Sequence, residues 1–268
     1  MSYWGGNGGY RKARQNGGYR HGPGQGYRHG PAPDVASLPT TILGKTPTWR
    51  YGHGLDADPD TSTWDAADYG DDLTYTEGGT SPTFNDGSSF EALGANDSVT
   101  FTKGDYYQRV GDNTFGNLSN NDFWLKLIMR AGTSTSDVIS KFLDGNNYWS
   151  CTFLNNATFQ FNVKSTGTFS LSTGVGASAT GTVYVYDIVW DDSGSARLYT
   201  DGLPTATASV SGVGALNFDI PFTVGARATD TIPTDCSVLY AALWEGAAWL
   251  SSHDQDTLVA QQYADLVG

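Results

Sequence analysis

From residue 98 onward, apolar and polar positions alternate in short runs broken by turn chemistry, the pattern of β-strands with at least one buried face. Strands are predicted at 98–102, 106–110, 123–130, 137–143, 148–154, 158–164, 182–190, 196–200, 205–210, 222–224 and 237–244. The segments Asp144-Gly145-Asn146-Asn147, Asp192-Ser193-Gly194 and Asp201-Gly202 fall between runs rich in Val, Thr, Tyr, Phe and Trp, and their residue types tolerate positive φ. Within 123–130, Phe123, Leu125, Leu127 and Met129 alternate with Trp124, Lys126, Ile128 and Arg130, so one face is strongly buried. The run 182–190 is apolar on both faces apart from Asp187, as in a central strand covered on both sides. One helix is predicted, at the C-terminus, opened by a Ser252…Gln255 capping pattern and carrying Val259, Tyr263, Leu266 and Val267 on one stripe. It is expected to pack against the edge or floor of two antiparallel sheets stacked face to face.

Ahead of these strands the pattern changes twice. Residues 34–60 contain Pro and end in an acidic, Gly-rich stretch without sustained periodicity, and 34–84 reads as a connector wrapping the domain of residues 85–268. Residues 1–33 repeat a Gly-Tyr-Arg unit three times, at Gly9-Tyr10-Arg11, Gly18-Tyr19-Arg20-His21 and Gly26-Tyr27-Arg28-His29, and contain no acidic residue. Arg11, Lys12, Arg14, Arg20 and Arg28 give this arm a charge of +5, which leaves residues 34–268 at −18 (10 − 28). So Gly-rich a segment cannot bury enough apolar surface to offset its ordering entropy, so it is expected to be ordered only where something outside its own packing holds it. Tyr supplies contact area, Arg a charged fork, and Gly a backbone that lies flat against a partner. Tyr10, Arg11, Tyr19, Arg20, His21, Tyr27, Arg28 and His29 are therefore the expected partner-binding residues. The expected partners are other copies of the chain or the proteins of a larger assembly. Arg- and Gly-rich segments also bind single-stranded nucleic acid, but a body of −18 repels phosphate, and that partner is not expected.

Composition narrows the classes further. The roughly 235 residues after the arm suffice for one large domain with a substantial core. No run approaches the roughly 18 apolar residues of a transmembrane helix, and Asp187 interrupts the longest candidate, 183–190. Charges at the N-terminus lack an apolar stretch behind them, so no secretory signal is expected. Cys151 and Cys236 are the only cysteines, each in an apolar run, and the sequence leaves open whether they are two buried thiols or a disulfide.

The order of motifs in the C-terminal two thirds resembles a known group. Trp190-Asp191-Asp192-Ser193-Gly194-Ser195-Ala196-Arg197-Leu198-Tyr199-Thr200-Asp201-Gly202 is followed by Phe222-Thr223-Val224-Gly225-Ala226-Arg227 and then by Tyr240-Ala241-Ala242-Leu243-Trp244 before a short helix. This resembles the laminin-G-like, concanavalin A-like jelly rolls over about residues 85–265. The resemblance implies an all-β, antiparallel jelly-roll β-sandwich, here with an extended N-terminal arm and a short C-terminal helix. Relatives of that kind include lectins, glucanases, pentraxin-like modules and many phage virion proteins.

Glucanases of this fold carry Glu-x-Asp-x-Glu or Glu-x-Asp-x-x-Glu on one strand, because alternation then puts the carboxylates on one face. Glu77, Glu91 and Glu245, the only glutamates, are followed two residues on by Gly79, Leu93 and Ala247, so that mechanism is not expected. His21, His29, His53 and His253 form no triad signature. The run Asp56-Ala57-Asp58-Pro59-Asp60 starts like a calcium loop, but Thr61 stands where the turn needs Gly and Ala67 where the bidentate Glu belongs. No cofactor is expected; because laminin-G relatives hold calcium at the sandwich rim, Asp56, Asp58, Asp60 and Asp97 are the calcium candidates. Trp124, Trp149, Trp190 and Trp244 fall in predicted strands and are expected in the core, whereas Trp4, Trp49, Trp64 and Trp249 are freer to stack on a sugar.

These features support two functional expectations. The first is a non-catalytic structural protein of a virion or extracellular assembly, a decoration, cement or tail-associated component anchored by its arm to capsid or tail proteins or to other copies. The second is a lectin-like module with glycan partners, or a subunit of a self-assembling filament.

Overall fold

The computed structural model describes residues 41–52, 63–64, 66, 70–76, 83–85, 98–101, 105–111, 114–118, 122–191, 194–210, 213, 216–226, 236–246 and 249–267. The leader and its eight partner-binding candidates lie outside them, as do Trp4, His53, Asp56, Asp58, Asp60, Glu77, Glu91 and Asp97.

The strands are β1 (Trp49–Gly52), β2 (Thr63–Trp64), β3 (Leu73–Thr76), β4 (Thr83–Asn85), β5 (Ser98–Thr100), β6 (Tyr106–Gln108), β7 (Phe123–Arg130), β8 (Ser136–Asp144), β9 (Asn147–Leu154), β10 (Thr158–Lys164), β11 (Thr168–Ser172), β12 (Val183–Asp191), β13 (Ser195–Thr200), β14 (Leu203–Ser209), β15 (Thr223–Val224) and β16 (Ser237–Glu245), followed by helix α1 (Gln255–Val267). They form two antiparallel sheets. The first runs β14-β13-β12-β7-β16-β5-β4, with β1 also pairing β16; the second runs β11-β10-β9-β8-β15-β6-β3-β2. The all-β sandwich with a short C-terminal helix is thus the observed architecture.

Every predicted strand is present, and β1 to β4 and β11 are additional. The first four lie in the stretch read as a wrapping connector, and they join both sheets, so residue 85 is no boundary of the sandwich. Strand β1 shows no alternation, all four of its residues being buried, and its order is set by partners far away, such as Trp49 opposite Leu243. Strand β11 does alternate, with Phe169 and Leu171 buried between Thr168, Ser170 and Ser172.

Facing side chains of the two sheets fill a core unusually rich in rings. Phe159 of the second sheet stacks on Tyr186 of the first at 3.8 Å, and Phe123 stacks on Trp190 at 5.4 Å. Trp49, Tyr51, Trp64, Tyr107 and Phe222 continue the cluster. All seven described tryptophans are buried, Trp49 and Trp64 completely and Trp249 to 9 % exposure. This corrects the expectation that Trp49, Trp64 and Trp249 are free for sugar stacking: short strands and the turn before α1 draw them inward. Cys151 and Cys236 are buried thiols without a disulfide, and burial pushes the Cys151 thiol well above its usual range.

The outer face of the first sheet is apolar as well. Trp124, Ile128, Val185, Val189, Tyr240, Ala242 and Trp244 form a second layer with Ile42, Leu250, Val259 and Leu266. Helix α1 roofs this layer. Its N-cap is Asp254, which accepts hydrogen bonds from the Thr257 hydroxyl at 2.7 Å and the Thr257 amide at 3.4 Å, not Ser252 as the capping pattern suggested. At the other end, Asp201 and Gly202 both adopt positive φ, the Asp-Gly turn expected between β13 and β14. A Cβ on Gly202 would lie 2.8 Å from Cβ of Tyr263, so this turn docks the helix.

One ion pair interrupts the roofed layer. Lys126 of β7 and Asp187 of β12 stand directly opposite in register, 2.6 Å apart and fully buried. The Trp124 indole donates to the same carboxylate oxygen at 2.6 Å. The anomaly seen in the sequence at Asp187 is therefore half of a buried pair whose other half, Lys126, lay on the outward positions of 123–130.

Candidate functional site

The outer face of the second sheet has the opposite character. Phe159, Phe161, Val163, Trp149, Cys151, Phe153, Phe169 and Leu171 all point into the core, so the residues between them point outward. Strand pairing arranges these outward residues in rows. Thr168, Lys164, Tyr148 and Phe142 stand opposite one another across β11, β10, β9 and β8. The next row is Ser170, Asn162, Ser150 and Ser140, continued by Thr223, Gln108, Thr74 and Thr63 across the rest of the sheet. A third row holds Ser172, Gln160, Thr152 and Asp137.

The middle of the face satisfies itself. Ser140 and Thr223 share a hydrogen bond of 2.9 Å, Ser150 and Thr152 one of 3.0 Å, and the Thr152 hydroxyl donates to Asp137 at 2.6 Å. Ser140, Ser150 and Thr223 are at most 1 % exposed, so these hydroxyls hold each other in place and are not available to bulk solvent.

The β9–β11 flank, with Phe142 of β8, differs. Thr168 and Ser170 are exposed, and Phe142, Tyr148, Gln160, Asn162, Lys164 and Ser172 are half-buried. Ser170 donates to the Asn162 side-chain oxygen at 2.7 Å, which fixes that amide with its nitrogen turned the other way, towards Gln160 at 3.4 Å. Phe142 and Tyr148 form an aromatic pair with centroids 5.2 Å apart. At the adjoining β8–β9 turn, Asp144 accepts from the Asn146 amide at 2.7 Å and from the Asn147 side chain. These bonds, with the positive charge of Lys164 adding to them, hold its carboxyl below the usual carboxylate range. This quarter of the face therefore offers two side-chain amides, three hydroxyls, one ammonium group and an aromatic pair, and the Asp144 carboxylate at its edge offsets the charge of Lys164. Amides and hydroxyls both donate and accept, and rings pack against the apolar faces of polyols, which is chemistry suited to a polyhydroxylated ligand.

None of these residues was singled out from the sequence. The signal was present in 158–164, where Thr158, Gln160, Asn162 and Lys164 occupy the outward positions of a strand whose inward positions are Phe, Phe and Val. What joins them to Tyr148 and Ser170 is pairing register, which alternation does not reveal. Of the residues weighed for catalysis, Glu245 ends β16 and His253 bonds the Trp249 carbonyl at 2.9 Å through Nδ1, tying the turn ahead of α1. Among the described residues no group of three or more His, Cys, Asp or Glu is placed to hold a metal ion, and no helix is long and apolar enough to cross a membrane.

No protein-family model and no curated protein matches the chain. Solved structures do resemble it. The binding domain of Paraclostridial Mosquitocidal Protein 1 superposes with a TM-score of 0.56 at 11% identity, covering 81% of this chain and 51% of that one. The receptor binding domain of botulinum neurotoxin D gives a TM-score of 0.54 at 10% identity, covering 81% of this chain and 52% of that one. Trypanosoma rangeli sialidase in complex with the inhibitor DANA gives 0.52 at 16% identity, covering 88% of this chain and 36% of that one. The chain thus spans about half the length of the toxin binding domains and little more than a third of the sialidase. At such identities the likeness is one of fold, a β-sandwich found both in binding domains and in enzymes.

Proposed function

We propose that this chain is a non-catalytic glycan-binding module whose ligand surface is the outer face of the second sheet over β8–β11. The observation that carries this reading is the asymmetry of the sandwich: the outer face of one sheet is apolar and roofed by α1, and that of the other presents amides, hydroxyls and an aromatic pair on its exposed flank. The sugar contacts fall to Tyr148 and Phe142 in place of the buried tryptophans, with Gln160, Asn162, Ser170 and Lys164 supplying directional hydrogen bonds. Solved neighbours that are binding domains support the reading at the level of fold. A glycan array tests it. The intact chain returns a definite ligand class that survives deletion of residues 1–33 and is lost in an Asn162→Ala/Gln160→Ala variant; retention by that variant rejects the surface.

Charge segregation supports a second role alongside the first. An arm of +5 on a body of −18 is suited to docking on an acidic neighbour. On this reading Tyr10, Arg11, Tyr19, Arg20, His21, Tyr27, Arg28 and His29 anchor the module in an assembly, either a virion or another extracellular array, through capsid or tail proteins or other copies. Deletion of residues 1–33 then abolishes incorporation and leaves a folded sandwich. Incorporation of the truncated chain contradicts it. Neither role requires a cofactor.

A further inference from the structure

The arrangement of the exposed flank narrows the ligand beyond a general affinity for sugars. Resting on the glycan-binding reading of this face, we infer that the site takes an extended, uncharged polysaccharide chain lying across the strands from β11 to β8, in preference to a single terminal sugar or a polyanion.

The direction comes from the rows. Thr168, Lys164, Tyr148 and Phe142 place one accessible side chain on each of four neighbouring strands. Ser170 with Asn162, and Ser172 with Gln160, extend the accessible surface on β11 and β10 one and two steps along the strands. Neighbouring strands lie ~4.8 Å apart, close to the advance of one ring in an extended glycan, whereas same-face neighbours along a strand are ~6.7 Å apart. A chain crossing the strands therefore meets one accessible side chain per ring, and one running along them falls out of step. The Phe142 and Tyr148 centroids, 5.2 Å apart on adjacent strands, repeat at the same interval. Four strands span about 14 Å, room for three to four rings.

The absence of charge on the ligand comes from electrostatics. Lys164 is the one cation in these rows, and Asp144 lies near enough to feel it. A body of −18 repels a polyanion along its whole length, and a single partly compensated ammonium group does not reverse that. A neutral polyol pays no such penalty and uses the amides of Asn162 and Gln160 in both directions.

Titration calorimetry of the full chain with neutral oligosaccharides of one to six units, chosen from the class an array returns, tests the inference. Affinity is expected to rise at least tenfold from one unit to four and then level off, and Asn162→Ala and Tyr148→Ala are each expected to weaken the four-unit ligand at least fivefold. Equal affinity for one and four units overturns the chain-binding claim, and binding of heparin or alginate that is tighter than that of any neutral chain and is weakened by Asn162→Ala overturns the claim of neutrality. Both of those outcomes leave glycan binding itself intact. Absence of binding to every glycan, with circular dichroism showing a folded chain, rejects the proposed function and this inference with it.

Discussion

The two outer faces of the sandwich are built by the same rule and end in opposite states. On the first sheet the outward positions are Trp124, Ile128, Val185, Val189, Tyr240 and Trp244, and the chain covers them with Ile42, Leu250 and α1. On the second the outward positions are Ser140, Ser150, Thr152, Gln160, Asn162 and Ser170, and hydrogen bonds among them replace apolar packing. A face that is apolar must be roofed, because leaving it in water forfeits the stabilisation from burial. A face of amides and hydroxyls has no such requirement, and on the proposed reading its exposed flank is where the ligand sits. Stability should therefore reside on one face and recognition on the other.

Variants separate the two. The largest effect belongs to the buried pair. Lys126→Met or Asp187→Leu alone strands one charge in an apolar layer and is expected to lower stability by about 3–5 kcal/mol in urea unfolding. The double variant is expected to recover most of that loss, and failure to recover would mean that the pair contributes more than its own neutralisation. Trp244→Ala removes a fully buried ring beneath the roof and is expected to cost a similar ~3–5 kcal/mol, whereas Tyr148→Ala and Asn162→Ala on the open face should stay near ~1 kcal/mol or below. Equal losses on the two faces would break the comparison.

Next in size is Gly202→Ala. It forces a left-handed φ on a residue with a side chain and drives a Cβ into Tyr263, for an expected loss of about 2 kcal/mol by thermal unfolding. The smallest expected effect is at the exposed cap of α1. Hydrogen bonds from the Thr257 hydroxyl and amide hold the Asp254 carboxyl below its usual range, so its contribution is present above the ordinary carboxylate pKa and fades as pH falls through the lowered folded value. Asp254→Ala should lower the melting temperature slightly at pH 7, and its gap to wild type should close as the pH falls. A difference from wild type that persists unchanged at low pH would remove the cap from the account.

How much of the fold and the site was legible in the sequence depends on the distance over which each feature is encoded. Alternation within 123–130 and 182–190 declared long strands and the double-sided cover of β12, because every residue needed lies in one run. The Asp201-Gly202 turn was legible for the same reason. Strands β1 to β4 were not, since four residues such as Trp49–Gly52 are ordered by β16, nearly two hundred positions later. The exposed flank was half legible: Gln160, Asn162 and Lys164 announce a polar outward face, but Ser170, Tyr148 and Phe142 reach them only through register. Tryptophan misled, because its suitability for stacking on sugars says nothing about whether a short strand carries it inward, as β1 carries Trp49 and β2 carries Trp64.

The most direct test of the account is a backbone amide NMR titration of the folded chain with a neutral four-unit oligosaccharide of the class it binds. The account predicts that the amides that shift are those of β8–β11, centred on Tyr148, Gln160, Asn162 and Ser170, while those of α1 and of β7 stay in place. Shifts concentrated at α1 and the roofed layer, with the second sheet silent, would contradict it.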